Sequence, residues 1–385
     1  MDETAERSTH EAYFRALEAL SRRGRLRRLA PRSGLDFASN DYLGLAQSAE
    51  LAAAARAAIE RGVPVGAGGS RLLRGNHPEH ETLEAEARAY FGAAAALFLG
   101  GGFLANYAIF STLPQRGDLV VYDALIHASV HDGVRAGRAE AVAARHNDAE
   151  SFEEAIRAWR AKGATGRAWL AVESLYSMDG DRAPLDDLAQ VAERHDAMLV
   201  IDEAHATGVL GPDGRGLGAA LEGRENVVAL HTCGKGLGVA GALVTLPNVL
   251  ADFLVNRCRP FIYATAPSPL NAALVRAALA IVRDQPERRQ RLARRVEVVG
   301  AALRACTGLS PSGSHILPIV VGSDARAVAL AEAIQAQGFD VRAIRPPTVP
   351  EGTARLRLAL TLNVEEVDAL RLVDVLADEL SRWAP

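Results

Sequence analysis

The chain has 385 residues, 49% of them hydrophobic, which is enough for a large core and for two or three domains rather than one. A formal net charge of -4 and a pI near 6.2 argue against a nucleic-acid partner. The start MDETAERSTH is unlike a secretory signal, and no apolar run reaches the roughly 18 residues of a membrane span. The widely spaced Cys233, Cys258 and Cys306 offer neither a disulfide framework nor a zinc site, so a reducing cytoplasm is expected and no metal is.

In chain order, residues 10–29 read as a basic amphipathic helix. FASNDYLGL (37–45) connects it to a helix over 48–62. A glycine-rich stretch, 66–80, precedes a helix from about Glu79 to Tyr90. Short apolar runs then alternate with helical segments: AALFL (95–99), DLVVYD (118–123), AWLAVES (168–174), AMLVID (197–202), NVVALHT (226–232) and GALVTL (241–246). The helices between them include 148–162 and 184–195, the latter with Pro184 in its first turn. Near-continuous apolar strands separated by helices imply an α/β protein with a mainly parallel central sheet and helices on both faces. Residues 268–305 read as helical with a break near Pro286. The last part changes character, with a strand at 316–322, a helix at 324–338 capped by Asp324, a strand at 355–360 and a helix from about Val364. The division expected is an N-terminal helical segment (1–45), a large α/β domain (46–285) and a small C-terminal α+β domain (286–385).

Ligands of such sheets bind at the carboxyl ends of the strands. Polar residues gather there: His127, Glu173, Ser174 and Ser177, Asp202 and His205, and Thr232 and Lys235. Only two of the 43 basic residues are lysines, so a nucleophilic amine has two candidates. Lys162 ends a polar helix, where a cation suits the helix dipole. Lys235 follows a strand with glycine on both sides, and a lysine in a dry site can form a Schiff base; a plain surface lysine is the competing reading. Asp202 reads either as a turn residue or as the partner of a cationic ring nitrogen. His205 and His127 read as packed histidines or as ring contacts. Gly100, Gly101 and Gly102 open an apparent helix, a weak anion-binding signal. Arg355 and Arg357 alternate on one strand face. Their default reading is a solvated edge, and the alternative is a carboxylate clamp.

Together SNDYLGL (39–45), GGFLAN (101–106), HAS (127–129), SMDGD (177–181), DEAHATG (202–208) and TCGKGLG (232–238) resemble the α-oxoamine synthases. These enzymes depend on pyridoxal 5'-phosphate (PLP) and have the fold type I architecture of aspartate aminotransferase. AIRPPTVPEGTARLRLALT (343–361) is most similar to the biotin-pathway branch. The resemblance spans about residues 37–361. It implies decarboxylative joining of L-alanine to a pimeloyl thioester carried by CoA or an acyl-carrier protein. It also implies a cytoplasmic homodimer with shared sites. By motif, Lys235 matches the Schiff-base lysine, Asp202 the ring-nitrogen partner, His205 the ring-oxygen contact and His127 a stacking histidine that also meets substrate. Gly102, Phe103, Ser177 and Thr232 match cofactor contacts, and Thr265 a contact to the neighbouring subunit's phosphate. Arg357, Asn40 and Thr348 match substrate contacts, and so does an amino-terminal arginine, placed at Arg27 with Arg25 and Arg28 as alternatives. The rivals are another α-oxoamine synthase that joins glycine to a short acyl-CoA and an aminotransferase of the same fold, both disfavoured by the 343–361 stretch, and a non-catalytic subunit, disfavoured by the presence of Lys235, Asp202 and His205.

Overall fold

The computed structural model describes residues 9–29 and 31–382. The chain forms two compact units. One comprises residues 40–294 and 361–363; the other gathers the described residues up to Ser39 with 295–360 and 364–382.

The first unit is built on seven strands: β1 (Ala95–Leu99), β2 (Leu119–Asp123), β3 (Glu140–Ala144), β4 (Ala168–Glu173), β5 (Met198–Asp202), β6 (Val227–Thr232) and β7 (Ala242–Leu246). Their order across the sheet is β1-β7-β6-β5-β4-β2-β3. Strands β2 to β6 pair in parallel, and β7 runs antiparallel to both of its neighbours. The sheet is mainly parallel, as the alternating apolar runs imply. Strand β3 is the one the run-by-run reading omits. Its residues EAVAA have low strand propensity, and it lies exposed at the sheet edge.

Helices cover both faces. Gly102–Thr112 (α1) and Ala128–Ala136 (α2) contribute Ala105, Ala108, Ile109, Phe110 and Val130 to one core, against Trp169, Ala171, Met198, Val200, Val228 and Leu230 of the sheet. On the opposite face, Phe152, Ile156 and Trp159 of Ala149–Ala161 (α3) and Leu188 and Val191 of Leu185–Arg194 (α4) pack on Leu170, Val172, Leu199 and Ile201. Helix α3 starts where Asp148 accepts the Ser151 N–H, and Lys162 closes it before Gly163 at φ 86°.

In the second unit, Ala354–Ala359 is the middle strand of a three-stranded antiparallel sheet, between Ala343–Ile344 and Ile316–Gly322. The solvated-edge reading of Arg355 and Arg357 therefore fails, because the strand is flanked on both sides and both arginines are buried. Leu35–Asp36 pairs in parallel with Phe339–Asp340, which attaches the N-terminal segment to this unit. Helix Asp324–Gln335 is capped by Ser323, whose hydroxyl accepts the Arg326 N–H, and not by Asp324 one residue on.

Candidate active site

Side chains on a strand alternate between faces, so the last residues of the parallel strands sort into two polar sets. Trp169, Ala171 and Glu173 share a face of β4. Met198, Val200 and Asp202 occupy the same face of β5, and Val228, Leu230 and Thr232 that of β6; their apolar members form the core under α1. Glu173, Asp202 and Thr232 therefore end that face at the carboxyl edge of the sheet. Ser174 and Glu203 end the other. There the Glu203 carboxylate accepts from Ser174 Oγ at 2.6 Å, from Leu217 N at 3.1 Å and from Gly218 N at 2.5 Å.

Lys235 sits in the turn after β6, with Nζ 2.8 Å from His205 Nε2. The hydroxyl of Tyr42 lies 2.6 Å from His205 Nδ1 and donates to Asn40 Oδ1 at 3.0 Å. With the tyrosine proton directed at Asn40, His205 Nδ1 is the donor to the phenol oxygen. The neutral imidazole then presents an acceptor, Nε2, to the lysine amine. Four residues from three sequence motifs thus form one hydrogen-bonded line.

A second line runs from Asp202. Its carboxylate is buried and accepts from Ala204 N at 2.9 Å and from Asn106 Nδ2 at 2.7 Å. Asn106 also donates to Ser129 Oγ at 3.0 Å, and Ser129 Oγ lies 2.7 Å from His127 Nδ1, which also accepts the Ser129 N–H. His127 is therefore the Nε2–H tautomer. Burial holds it below the usual histidine pKa, with Asp202 raising and Lys235 lowering it, so the ring is neutral at pH 7. Phe103 stands edge-on to it, with ring centroids 6.4 Å apart at 81°.

Glu173 is wholly buried beside these groups. One oxygen accepts the Ser177 N–H at 3.0 Å, and the other meets no hydrogen-bond partner within bonding geometry among the described residues. Burial pushes its pKa up to about 8, reinforced by the Asp202 charge and opposed by Lys235. Thr232 lies at the start of α1: a Cβ on Gly102 would run into Thr232 Oγ1, so glycine is what lets this hydroxyl meet the helix N-terminus.

The structure thus brings together Lys235, His205, Asp202, His127, Ser177, Thr232, Gly102, Phe103 and Asn40 within the first unit. Thr265 is elsewhere in that unit, lining a depression with Arg71, Gly100 and Leu104. Arg357, Thr348 and Arg27 belong to the second unit, where Arg27 Nη2 is 3.5 Å from Thr348 Oγ1. Arg25 is committed to Glu351 at 2.5 and 2.8 Å and to Asp324 at 2.6 Å, which leaves Arg27 the better placed of the two. The sequence alone assigns no role to Tyr42, Asn106 or Ser129, although they lie within SNDYLGL, GGFLAN and HAS. A cavity of about 730 Å³ lined by Arg61, Tyr90, Arg276 and Arg283 contains none of the site residues. Its arginines pair with Glu79, Glu86 and Asp284.

The donor set suits a planar, phosphorylated aldehyde. A buried carboxylate is available for a protonated ring nitrogen, a primary amine for the aldehyde, and a helix N-terminus with an adjoining hydroxyl for the phosphate. Residues 32–373 match the model of the class I and II aminotransferases. The 8-amino-7-oxononanoate synthase of Anaeromyxobacter dehalogenans is 43% identical over 361 residues, 90% of this chain and 89% of that protein. The chain belongs to the class I and II aminotransferase family, among its 8-amino-7-oxononanoate synthases. The solved 8-amino-7-oxononanoate synthase of Francisella tularensis superposes with a TM-score of 0.77 at 26% identity, covering 91% of this chain and 99% of that one. A serine palmitoyltransferase from S. paucimobilis, solved with a bound PLP-myriocin aldimine, superposes with a TM-score of 0.85 at 25% identity, covering 98% and 99%. The architecture of this 8-amino-7-oxononanoate synthase family member is fold type I, with helices on both faces of its central sheet.

Proposed function

We infer that this chain catalyses the PLP-dependent condensation of L-alanine with a pimeloyl thioester, giving 8-amino-7-oxononanoate, carbon dioxide and the free thiol carrier. The acyl donor is pimeloyl-CoA or pimeloyl-acyl-carrier protein. The observation that carries this reading is the 43% identity to 8-amino-7-oxononanoate synthases over 90% of the chain. The shape alone fits serine palmitoyltransferase at least as well, but at 25% identity.

Bound PLP supplies a carbonyl that condenses with amines and a ring that takes up charge from the α-carbon. Around it, each residue has a separable task. Lys235 Nζ would anchor the cofactor and, as a free amine, would take up and return the alanine α-proton. His205 Nε2 accepts a hydrogen bond from that amine, and Tyr42 keeps the imidazole in the tautomer that allows it. Asp202 holds a proton on the ring nitrogen, its orientation fixed by Asn106 and Ala204. His127, neutral and backed by Ser129, stacks on the ring and offers Nε2–H to the thioester carbonyl. Thr232 and the N-terminus of α1, opened by Gly102 and Phe103, hold the phosphate, and Ser177 contacts the ring. Arg357, Asn40, Thr348 and Arg27 bind the substrates.

We place the enzyme in the cytoplasm as a homodimer. Among the described residues no helix is long and apolar enough to cross a membrane. Leu72, Leu73, Phe103 and Tyr263 are large apolar residues left exposed. They belong to segments that adjoin at the depression lined by Arg71, Gly100, Leu104 and Thr265, which supports a second copy packing there with Thr265 reaching its phosphate.

Borohydride reduction of the PLP-loaded protein followed by peptide mapping tests the anchor, with the label expected on Lys235. Product mass spectrometry with alanine, glycine or serine against pimeloyl, acetyl and palmitoyl thioesters tests the reaction. Alanine with pimeloyl thioester should dominate, and preferential use of serine with palmitoyl thioester would overturn the assignment.

A further inference from the structure

The carboxyl ends of β2 and β3 and the loop after β4 meet at one imidazole. His146 Nδ1 is 2.8 Å from Asp123 Oδ1, and its Nε2 is 2.8 Å from Asp181 Oδ2. Asn147 repeats the pattern one residue on, donating its backbone N–H to Asp123 Oδ2 at 2.8 Å and its side-chain amide to Asp181 Oδ2 at 2.7 Å. Asn147 adopts φ 54°, a left-handed conformation that asparagine tolerates better than most residues. Tyr176 stands edge-on against the imidazole, with centroids 4.5 Å apart at 83°.

Both aspartates also hold chain that leads into the candidate active site, Asp123 through its carboxylate and Asp181 through its backbone carbonyl. Asp123 accepts the Leu125 N–H at 2.8 Å and so shapes the turn that ends at His127. Asp181 closes the loop of residues 174–182: its carbonyl accepts the Tyr176 N–H at 2.9 Å, and Leu175 bridges Arg182. Ser177 is carried on that loop. His146 thus bonds both anchors, each through one ring nitrogen.

We propose that His146 is a positioning residue, donating through both ring N–H groups so that the turn bearing His127 and the loop bearing Ser177 are held as one frame on either side of the cofactor pocket. Two donors on one imidazole require the protonated ring. The facing groups are consistent with that: burial alone would lower its pKa, but hydrogen bonds and charge from Asp123 and Asp181 outweigh it and push it up to about 10. Tyr176, the other titratable group against the ring, is held above the usual tyrosine range by burial and by Asp123, and stays neutral.

The proposal rests on reading the pocket as a PLP site, so its test is made first without cofactor. In the cofactor-free full chain, His146→Ala should speed amide hydrogen exchange at least tenfold in peptides covering 123–130 and 174–184, leaving peptides of β5 and β6 unchanged. His146→Gln, which retains one donor, should give an intermediate effect. Imidazole added to His146→Ala should slow exchange again in both segments, because the site is partly exposed. Equilibrium dialysis should then show PLP binding weakened about tenfold in His146→Ala and recovered by imidazole. Uniformly faster exchange across the sheet, a change in only one of the two segments, or no change would overturn the proposal. If the wild-type chain fails to bind PLP while the exchange pattern is as expected, the functional reading fails and the frame stands.

Discussion

Replacing Glu173 by glutamine isolates the cost of ionising a carboxyl that is buried beside Asp202. Glutamine keeps the shape and an oxygen for the Ser177 N–H, which Glu173 accepts at 3.0 Å, but it cannot ionise. In the folded chain Glu173 is wholly buried and its pKa is pushed from 4.5 up to about 8, first by burial and then by Asp202. Between these values the native state binds a proton that the unfolded chain has released, so stability falls as pH rises. The loss begins near pH 4.5 and is complete just above pH 8. At 1.36 kcal/mol per pKa unit, the shift amounts to about 5 kcal/mol. Glu173→Gln removes this slope. The cofactor-free variant should match wild type at pH 4.5 and melt higher at pH 8.5, by roughly 10–20 °C at the 2–4 °C per kcal/mol of a domain this size. Thermal melts at half-unit pH steps provide the measurement. Parallel curves for the two proteins would mean that Glu173 ionises normally, and a variant less stable at pH 8.5 would mean that the charge is needed.

Two further outcomes follow from the site geometry. Tyr42→Phe leaves the buried His205 Nδ1–H without its phenol acceptor, a loss worth about 1–3 kcal/mol, and steady-state turnover with alanine should fall about ten- to a hundredfold; unchanged turnover would remove Tyr42 from the tautomer argument. Gly102→Ala drives a methyl into Thr232 Oγ1 at the start of α1, so PLP affinity measured by equilibrium dialysis should drop at least tenfold, and Gly102→Ala combined with Thr232→Ala should not bind more weakly than Gly102→Ala alone.

The strand ends were legible because apolar runs stop at polar residues, and parallel α/β sheets place those stops side by side. Lys235, His205, Asp202 and His127 can therefore be named from the sequence. Their connections cannot be. Tyr42 is 163 residues from His205 and Asn106 is 96 from Asp202, and no local periodicity links them. The same holds for His146, whose acceptors lie 23 and 35 residues away. Strand β3 escaped notice because alanine and glutamate at an exposed edge look like helix or loop. Arg355 and Arg357 looked half-solvated because alternation shows that a strand has two faces but not that both of its edges are paired. At the helix of residues 324–335, two neighbouring capping residues competed, and the hydroxyl of Ser323 took the position.

The end of β5 is polar above and below, because Asp202 and Glu203 leave on opposite sides. The lower acid grips backbone amides of 217–218 and so determines where the chain departs toward His205. Grafting this pocket onto another scaffold would consequently mean transplanting two storeys. A copy carrying the upper residues alone would aim its histidine from a turn held on one side only, by the Asp202 bond to the Ala204 N–H.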